Sequence, residues 1–165
     1  MKVIGDVMKF GDNVSTTIMA PLERMPDTSL ETLKKFTMSA LRPNFIHEVK
    51  PGMVIVAGTN WGFGSQREMA NHIFKELGIQ AIVADSVGRI YFRNSIAIGM
   101  PILACRGVNA AFDENERIEV DFSKGVITNQ TTGKKLSASP LPESMLKILE
   151  KGGILPLLKE ELAQA

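Results

Sequence analysis

The chain has 165 residues, enough for one domain whose core needs no disulfide or metal to hold it. Hydrophobic residues make up 44% and charged residues 22%, the balance of a soluble globular protein. Lys plus Arg number 19 and Asp plus Glu 18, so there is no charge excess to argue for nucleic acid or a membrane surface, and no window approaches the ~20 apolar residues of a membrane span.

In chain order, Lys2 to Phe10 reads as a strand followed by the turn residues Gly11-Asp12-Asn13. Met1 to Asp6 lacks the apolar run of a signal peptide, and the single cysteine, Cys105, cannot form an internal disulfide, so a cytoplasmic protein is expected. Val14 to Arg24 is a mixed, Thr-rich segment ending near Pro21. Pro26 to Ser29 offers helix-start residues, and a modest helix is expected from about Leu30 to about Ser39. Met53 to Ala57 is a continuous apolar run, the pattern of a fully buried strand. A Gly-rich turn, Gly58 to Gly64, leads into a helix expected over Ser65 to Leu77, with an apolar stripe at Met69, Ala70, Ile73, Phe74 and Leu77 and Gly78 as its cap. Ile79 to Ala84 is a second apolar strand, so this stretch is a strand–loop–helix–strand unit of a parallel sheet. Asp85 to Gly99 reads as a loop with a short helix, and Pro101 to Cys105 as a third apolar strand. Arg117 to Phe122 alternates with period two, and segments 125–128 and 134–136 flank a polar turn, so a strand and a hairpin are expected. Helices are expected over Glu143 to Lys151 and Leu155 to Ala163.

The chemistry concentrates in Gly62-Phe63-Gly64-Ser65-Gln66-Arg67-Glu68. Glycines let backbone approach a ligand, and the first N–H groups of a helix attract an anion. Arg67 adds a planar fork matched to a carboxylate or phosphate. Ser65 and Glu68 also spell S-x-x-E, a capping box, so Ser65 on pattern alone reads first as a helix cap. No Gly-Lys-Ser/Thr follows, as a Walker loop would require, and no dinucleotide Gly-x-Gly-x-x-Gly is present. From the residues alone, this is an anion site with its ligand open.

Gly58 to Glu68 resembles the G-x-N-[FY]-G-x-G-S-S-R-E loop of the aconitase superfamily. Ala84 to Asn94 resembles its A-E-S-F-A-R-I-F-x-R-N segment, Gly99-Met100-Pro101 its G-L-P, and Gly11 to Val14 its G-D-N-I. Within the superfamily, the chain is similar to the small subunits of 3-isopropylmalate dehydratases and their homoaconitase-like relatives, with the motifs spread over roughly Lys2 to Cys105. The resemblance implies an α/β fold: a three-layer, aconitase-type swivelling β/β/α domain, here residues 1–165 as one domain, with a small β-hairpin and C-terminal helices. It implies a hydro-lyase that isomerises 2-isopropylmalate to 3-isopropylmalate in leucine biosynthesis. The partner would be a large catalytic subunit carrying a [4Fe-4S] cluster, with no cofactor or metal on this chain. That division suits a chain whose single cysteine, Cys105, cannot hold such a cluster. By position, Ser65 becomes the general base that takes the proton α to a carboxylate, Arg67 binds a substrate carboxylate, and Gln66 and the backbone at Gly64 complete the pocket.

The chain departs from the family pattern at three places. The second loop serine is Gln66, the acid of N-T-D-x-I is Thr17, and P-A-R-Y-L reads Pro21-Leu22-Glu23-Arg24-Met25. Thr17 and Arg24 remain candidates for substrate binding, and Arg24 either reaches a carboxylate or pairs with Glu23. These changes leave other readings open: a related hydro-lyase acting on dimethylmalate or another methyl-substituted malate, or a non-catalytic anion-binding module. Association of small subunits with one another is also left open. Arg89 and Arg93 lie four apart and are expected to pair with Asp85 or cap carbonyls. His47 and His72 lack metal-ligand spacing, and His72 is expected to be exposed. Trp61 either walls the pocket or packs in the core.

Overall fold

The computed structural model describes residues 1–163. The apolar runs form the parallel half of a seven-stranded sheet: β1 (Lys2–Lys9), β2 (Val54–Ala57), β3 (Ala81–Ala84) and β4 (Ile102–Ala104). β2 and β3 are buried along their whole length, as strands covered on both faces must be. The antiparallel half is β5 (Arg117–Asp121), β6 (Val126–Asn129) and β7 (Lys135–Ser137), in the overall order β4-β3-β2-β1-β5-β6-β7. β1 joins the halves. It pairs parallel with β2, Val7 opposite Val54, and antiparallel with β5, Val3 opposite Val120. The α/β class and the hairpin, β6 with β7, agree with the expectation.

The helices are α1 (Thr16–Met19), α2 (Leu30–Phe36), α3 (Phe45–Glu48), α4 (Glu68–Glu76), α5 (Arg89–Ala97), α6 (Glu143–Glu150) and α7 (Ile154–Ala163), with a 3-10 turn at Leu22–Arg24. α4 is central and packs against α1, α2 and α5, while α5 meets α6, α7 and β4. Its apolar stripe works as the spacing predicts: Ala70, Ile73 and Phe74 are buried. Phe74 joins Phe10, Phe45 and Trp61 in an aromatic cluster with centroids 5.8 to 6.4 Å apart.

Two helix boundaries and one short helix differ most from the sequence reading. α4 starts at Glu68 rather than Ser65, because Gly64 adopts φ +100° and Arg67 is extended at φ −125°, ψ 109°. α2 stops at Phe36, three residues early. There Thr37 turns extended, its hydroxyl donates to the Met19 carbonyl, and Met38 takes the left-handed φ of 56°. α3 was not anticipated: four residues are too few to show a period, and its N-cap Asn44 makes no side-chain capping bond. Among the described residues, no helix is long and apolar enough to cross a membrane.

Candidate active site

Three loops meet at the carboxyl ends of β1, β2 and β3, the edge of a parallel sheet where ligand clefts form. The loop after β2 lies in the middle and is stitched to both neighbours. Gly62 N–H donates to the Val14 carbonyl at 2.7 Å, and Thr16 N–H to the Phe63 carbonyl at 3.0 Å. On the other side, Gly88 N–H donates to the Trp61 carbonyl at 2.8 Å and Trp61 N–H to the Ser86 carbonyl at 3.0 Å. Asp12 accepts from Thr59 N–H at 2.6 Å. Asn60 and Asn13, both left-handed with φ 64° and 57°, join through their side-chain amides at 3.0 Å.

The glycines have separate duties. A Cβ on Gly62 (φ +72°) would lie 2.3 Å from Tyr91 Cγ, so this residue is bare because the buried Tyr91 ring presses on it. A Cβ on Gly64 (φ +100°) would meet only Thr16 Oγ1, at 3.4 Å. Gly64 therefore serves the backbone course of an exposed loop. Past it, the N–H groups of Gly64, Ser65, Gln66 and Arg67 donate to no acceptor among the described residues. Four consecutive donors without a protein acceptor, just ahead of the positive end of α4, are available to an anion.

Ser65 is exposed within that run. The capping box does not form: the N-cap of α4 is Arg67, and no side chain caps the helix. Ser65 Oγ makes no hydrogen bond among the described residues, while the Ser65 carbonyl accepts from Thr16 Oγ1 at 2.7 Å. The backbone is thus held and the hydroxyl is left unengaged.

Arg67 is reached from the loop after β1. Its Nη1 donates to the Ala20 carbonyl at 2.9 Å and to Glu23 Oε2 at 2.9 Å, and its Nη2 donates to Glu23 Oε1. This is a two-pronged guanidinium–carboxylate pair. The hydrogen bonds from Arg67 hold Glu23 down to about 2, far below the ordinary carboxylate range. Glu23 in turn raises Arg67 above its ordinary value. Glu23 pairs with Arg67 and not with Arg24, so one of the two sequence alternatives for Arg24 is set aside.

The other expected residues separate. Arg24 is exposed, has no ion-pair partner among the described residues, and borders with Thr17, Glu23 and Ser39 a cavity of about 100 Å³ whose apolar wall is Ile18, Pro21, Phe36 and Ala40. Gln66 leaves the Arg67 side. Its amide donates to Asn71 Oδ1 at 3.2 Å and lines a groove of about 280 Å³ shared by α4 and α5. Asn71, which the sequence reading did not single out, is buried and donates to the Tyr91 carbonyl at 3.1 Å and Ser95 Oγ at 2.8 Å. A buried polar residue on an otherwise apolar stripe was the available signal. Tyr91 donates to the Ala70 carbonyl at 3.1 Å, and its burial raises its hydroxyl well above the ordinary value.

Arg89 and Arg93 do not pair with Asp85. Both are exposed, and Asp85 accepts from Asn109 N–H at 3.4 Å instead. His72 is half-buried, with Nε2 3.7 Å from the Glu68 carboxylate, not free on the surface. Trp61 is fully buried and belongs to the core rather than the pocket wall. Cys105 is buried, and its burial raises the thiol above its ordinary value, which keeps it inert. Among the described residues, no three His, Cys, Asp or Glu side chains gather to hold a metal.

The chain is similar to known proteins over nearly its whole length. The model of the aconitase C-terminal domain matches residues 27–106, which include Ser65 and Arg67 but not Thr17, Glu23 or Arg24. The isopropylmalate/citramalate isomerase small subunit of Methanocaldococcus jannaschii is 42% identical over 161 residues, covering 98% of this chain and 96% of the relative. The chain belongs to the family of 3-isopropylmalate dehydratase small subunits. A second member, from Clostridioides difficile, is 43% identical over 155 residues, covering 94% of this chain and 95% of its own length. A crystal structure of a 3-isopropylmalate dehydratase from M. jannaschii superposes with a TM-score of 0.87 at 33% identity, covering 99% of this chain and 98% of that one. The antiparallel strands and C-terminal helices beyond residue 106 therefore belong to the family fold as well.

Proposed function

We propose that this chain is the small subunit of a hydro-lyase that converts 2-isopropylmalate to 3-isopropylmalate by dehydration and rehydration. The observation that carries the reading is the unengaged Ser65 hydroxyl in a cradle of four unpaired N–H groups, with the Arg67 guanidinium two residues away. Ser65 as an alkoxide takes the proton from the carbon next to a substrate carboxylate. The developing negative charge on that carboxylate is met by the N–H groups and Arg67, which also lower the cost of ionising a serine hydroxyl. The substrate hydroxyl leaves from the neighbouring carbon with a proton from an acid on the partner. Water then adds across the double bond with its hydroxyl on the other carbon, and Ser65 returns its proton.

The partner is a large subunit that carries the [4Fe-4S] cluster and supplies the chemistry of the departing hydroxyl. One buried cysteine could not hold such a cluster here. Residues 1–165 act as one swivelling domain that closes the cradle over that subunit. The cavity beside Thr17 and Ile18, about 100 Å³, has room for a short branched alkyl group. The test is reconstitution with the cognate large subunit and turnover of 2-isopropylmalate, with citramalate as comparison. Absence of turnover by a cluster-loaded complex would overturn the reading, as would full activity of Ser65→Ala.

A further inference from the structure

The Arg67 fork already holds a carboxylate. Glu23 meets it end-on with both oxygens, the geometry expected of a bound acid ligand. The two partners differ in freedom. The Arg67 side chain is 15% exposed and anchored by the Ala20 carbonyl, whereas the Glu23 side chain is 63% exposed. In an exchange, the carboxylate moves and the guanidinium stays.

Glu23 also cannot go far. Thr16 is bonded through its N–H to Phe63 and through its hydroxyl to Ser65, and Arg67 grips Ala20. Three residues beyond Ala20, the chain reaches at most about 10 Å. That is about one screening length at 0.1 M salt, so a displaced Glu23 stays inside the range over which it repels a neighbouring carboxylate, most strongly at low salt.

We propose that Glu23 is a specificity-determining residue: it occupies the Arg67 fork as an internal rival of the substrate carboxylate and, once displaced, repels acids that carry a third carboxylate. The inference rests on Arg67 being the substrate clamp of the proposed function. It deepens that reading by naming the class, dicarboxylic acids whose remaining substituent is uncharged. An internal rival lowers the fraction of binding-competent sites, and apparent affinity falls by that fraction. It acts on the free protein and not on the transition state, so it changes KM and leaves kcat alone.

The test uses the reconstituted complex with wild-type, Glu23→Gln and Glu23→Asp small subunits. Glu23→Gln is expected to lower the KM for 2-isopropylmalate about three- to tenfold, with kcat within about twofold. Inhibition by propane-1,2,3-tricarboxylate should tighten by a larger factor than inhibition by malate, and Glu23→Asp should stay near wild type. A higher KM or a lower kcat in Glu23→Gln would mean that Glu23 merely holds Arg67 in place, and would overturn the proposal. Equal tightening for both inhibitors would overturn the selectivity. Should the wild-type complex fail to turn over 2-isopropylmalate, the proposed function falls by itself. The rivalry is then read on the full-length chain alone, by titrating malate against the Arg67 Nε–H signal in NMR. Glu23→Gln should bind about three- to tenfold tighter, and equal or weaker binding overturns it.

Discussion

Gly62 and Gly64 sit two residues apart in one loop, both at positive φ, yet alanine should act on them by different physics. At either site, a residue with a Cβ in this part of φ space costs about 1–2 kcal/mol. At Gly62 the new methyl would also lie 2.3 Å from Tyr91 Cγ and 2.6 Å from its Cβ. Tyr91 cannot yield cheaply, being buried and tied to Ala70 by its hydroxyl and to Asn71 through its carbonyl. Overpacking of this kind adds about 1–3 kcal/mol, so Gly62→Ala should lose about 2–5 kcal/mol in all. At Gly64 the methyl meets only Thr16 Oγ1 at 3.4 Å, an ordinary contact, and the backbone cost stands alone. Urea unfolding of both variants measures the difference. At roughly 2–4 °C per kcal/mol for a chain of this size, Gly62→Ala should also melt well below Gly64→Ala. Gly64→Ala, destabilised by the backbone cost alone, should in addition lose activity in the complex, because it redirects the N–H groups that follow it. Equal destabilisation of the two variants would refute the division of labour.

Ser65→Ala should lower kcat in the reconstituted complex by about 10²–10⁴-fold, the usual worth of a proton-transfer group, with stability unchanged because Ser65 Oγ has no hydrogen-bond partner among the described residues; steady-state kinetics beside a thermal melt checks both halves. Arg67→Lys keeps the charge but loses the fork, and KM should rise about 10- to 100-fold. Asn71→Ala removes the donor to the Tyr91 carbonyl and Ser95 and should cost about 1–3 kcal/mol in urea unfolding. Glu23, held at about 2 chiefly by hydrogen bonds from Arg67, has a folded value below its ordinary 4.5. A depressed carboxylate supports the folded state above its unfolded value and loses that support as pH falls from about 4.5 through about 2. An NMR titration of the Glu23 carboxyl should therefore show no change at neutral pH and a midpoint near 2; a midpoint near 4.5 would mean the pair does not form in solution.

Much of the architecture was legible because burial writes itself into composition. VIVA and AIVA have to be interior strands, and the stripe at Ala70, Ile73 and Phe74 has to face them. Period-two alternation at Arg117 to Phe122 announced an antiparallel strand in the same way. The Gly-rich turn between strand and helix was equally readable, and with it the positions of the two proposed site residues, Ser65 and Arg67, because such a turn is written locally. The boundaries were not. The same letters, S-x-x-E, promise a capping box, and only the φ of +100° at Gly64 shows that the helix starts three residues later and leaves Ser65 unengaged.

What the sequence determined by itself was the family, the buried strands and the Gly-rich loop, all set by local pattern. What only the tertiary structure decided was who partners whom across the loops. Glu23 lies 44 residues from Arg67, and adjacency in sequence suggested Arg24 for it instead. Gln66 sits beside Arg67 in sequence yet turns to Asn71, and Thr16 is pinned to the carbonyl of Ser65, 49 residues away. Such pairings depend on how the loops after β1 and β2 register against each other, and that register is set by the parallel pairing of two strands whose own letters say nothing about it.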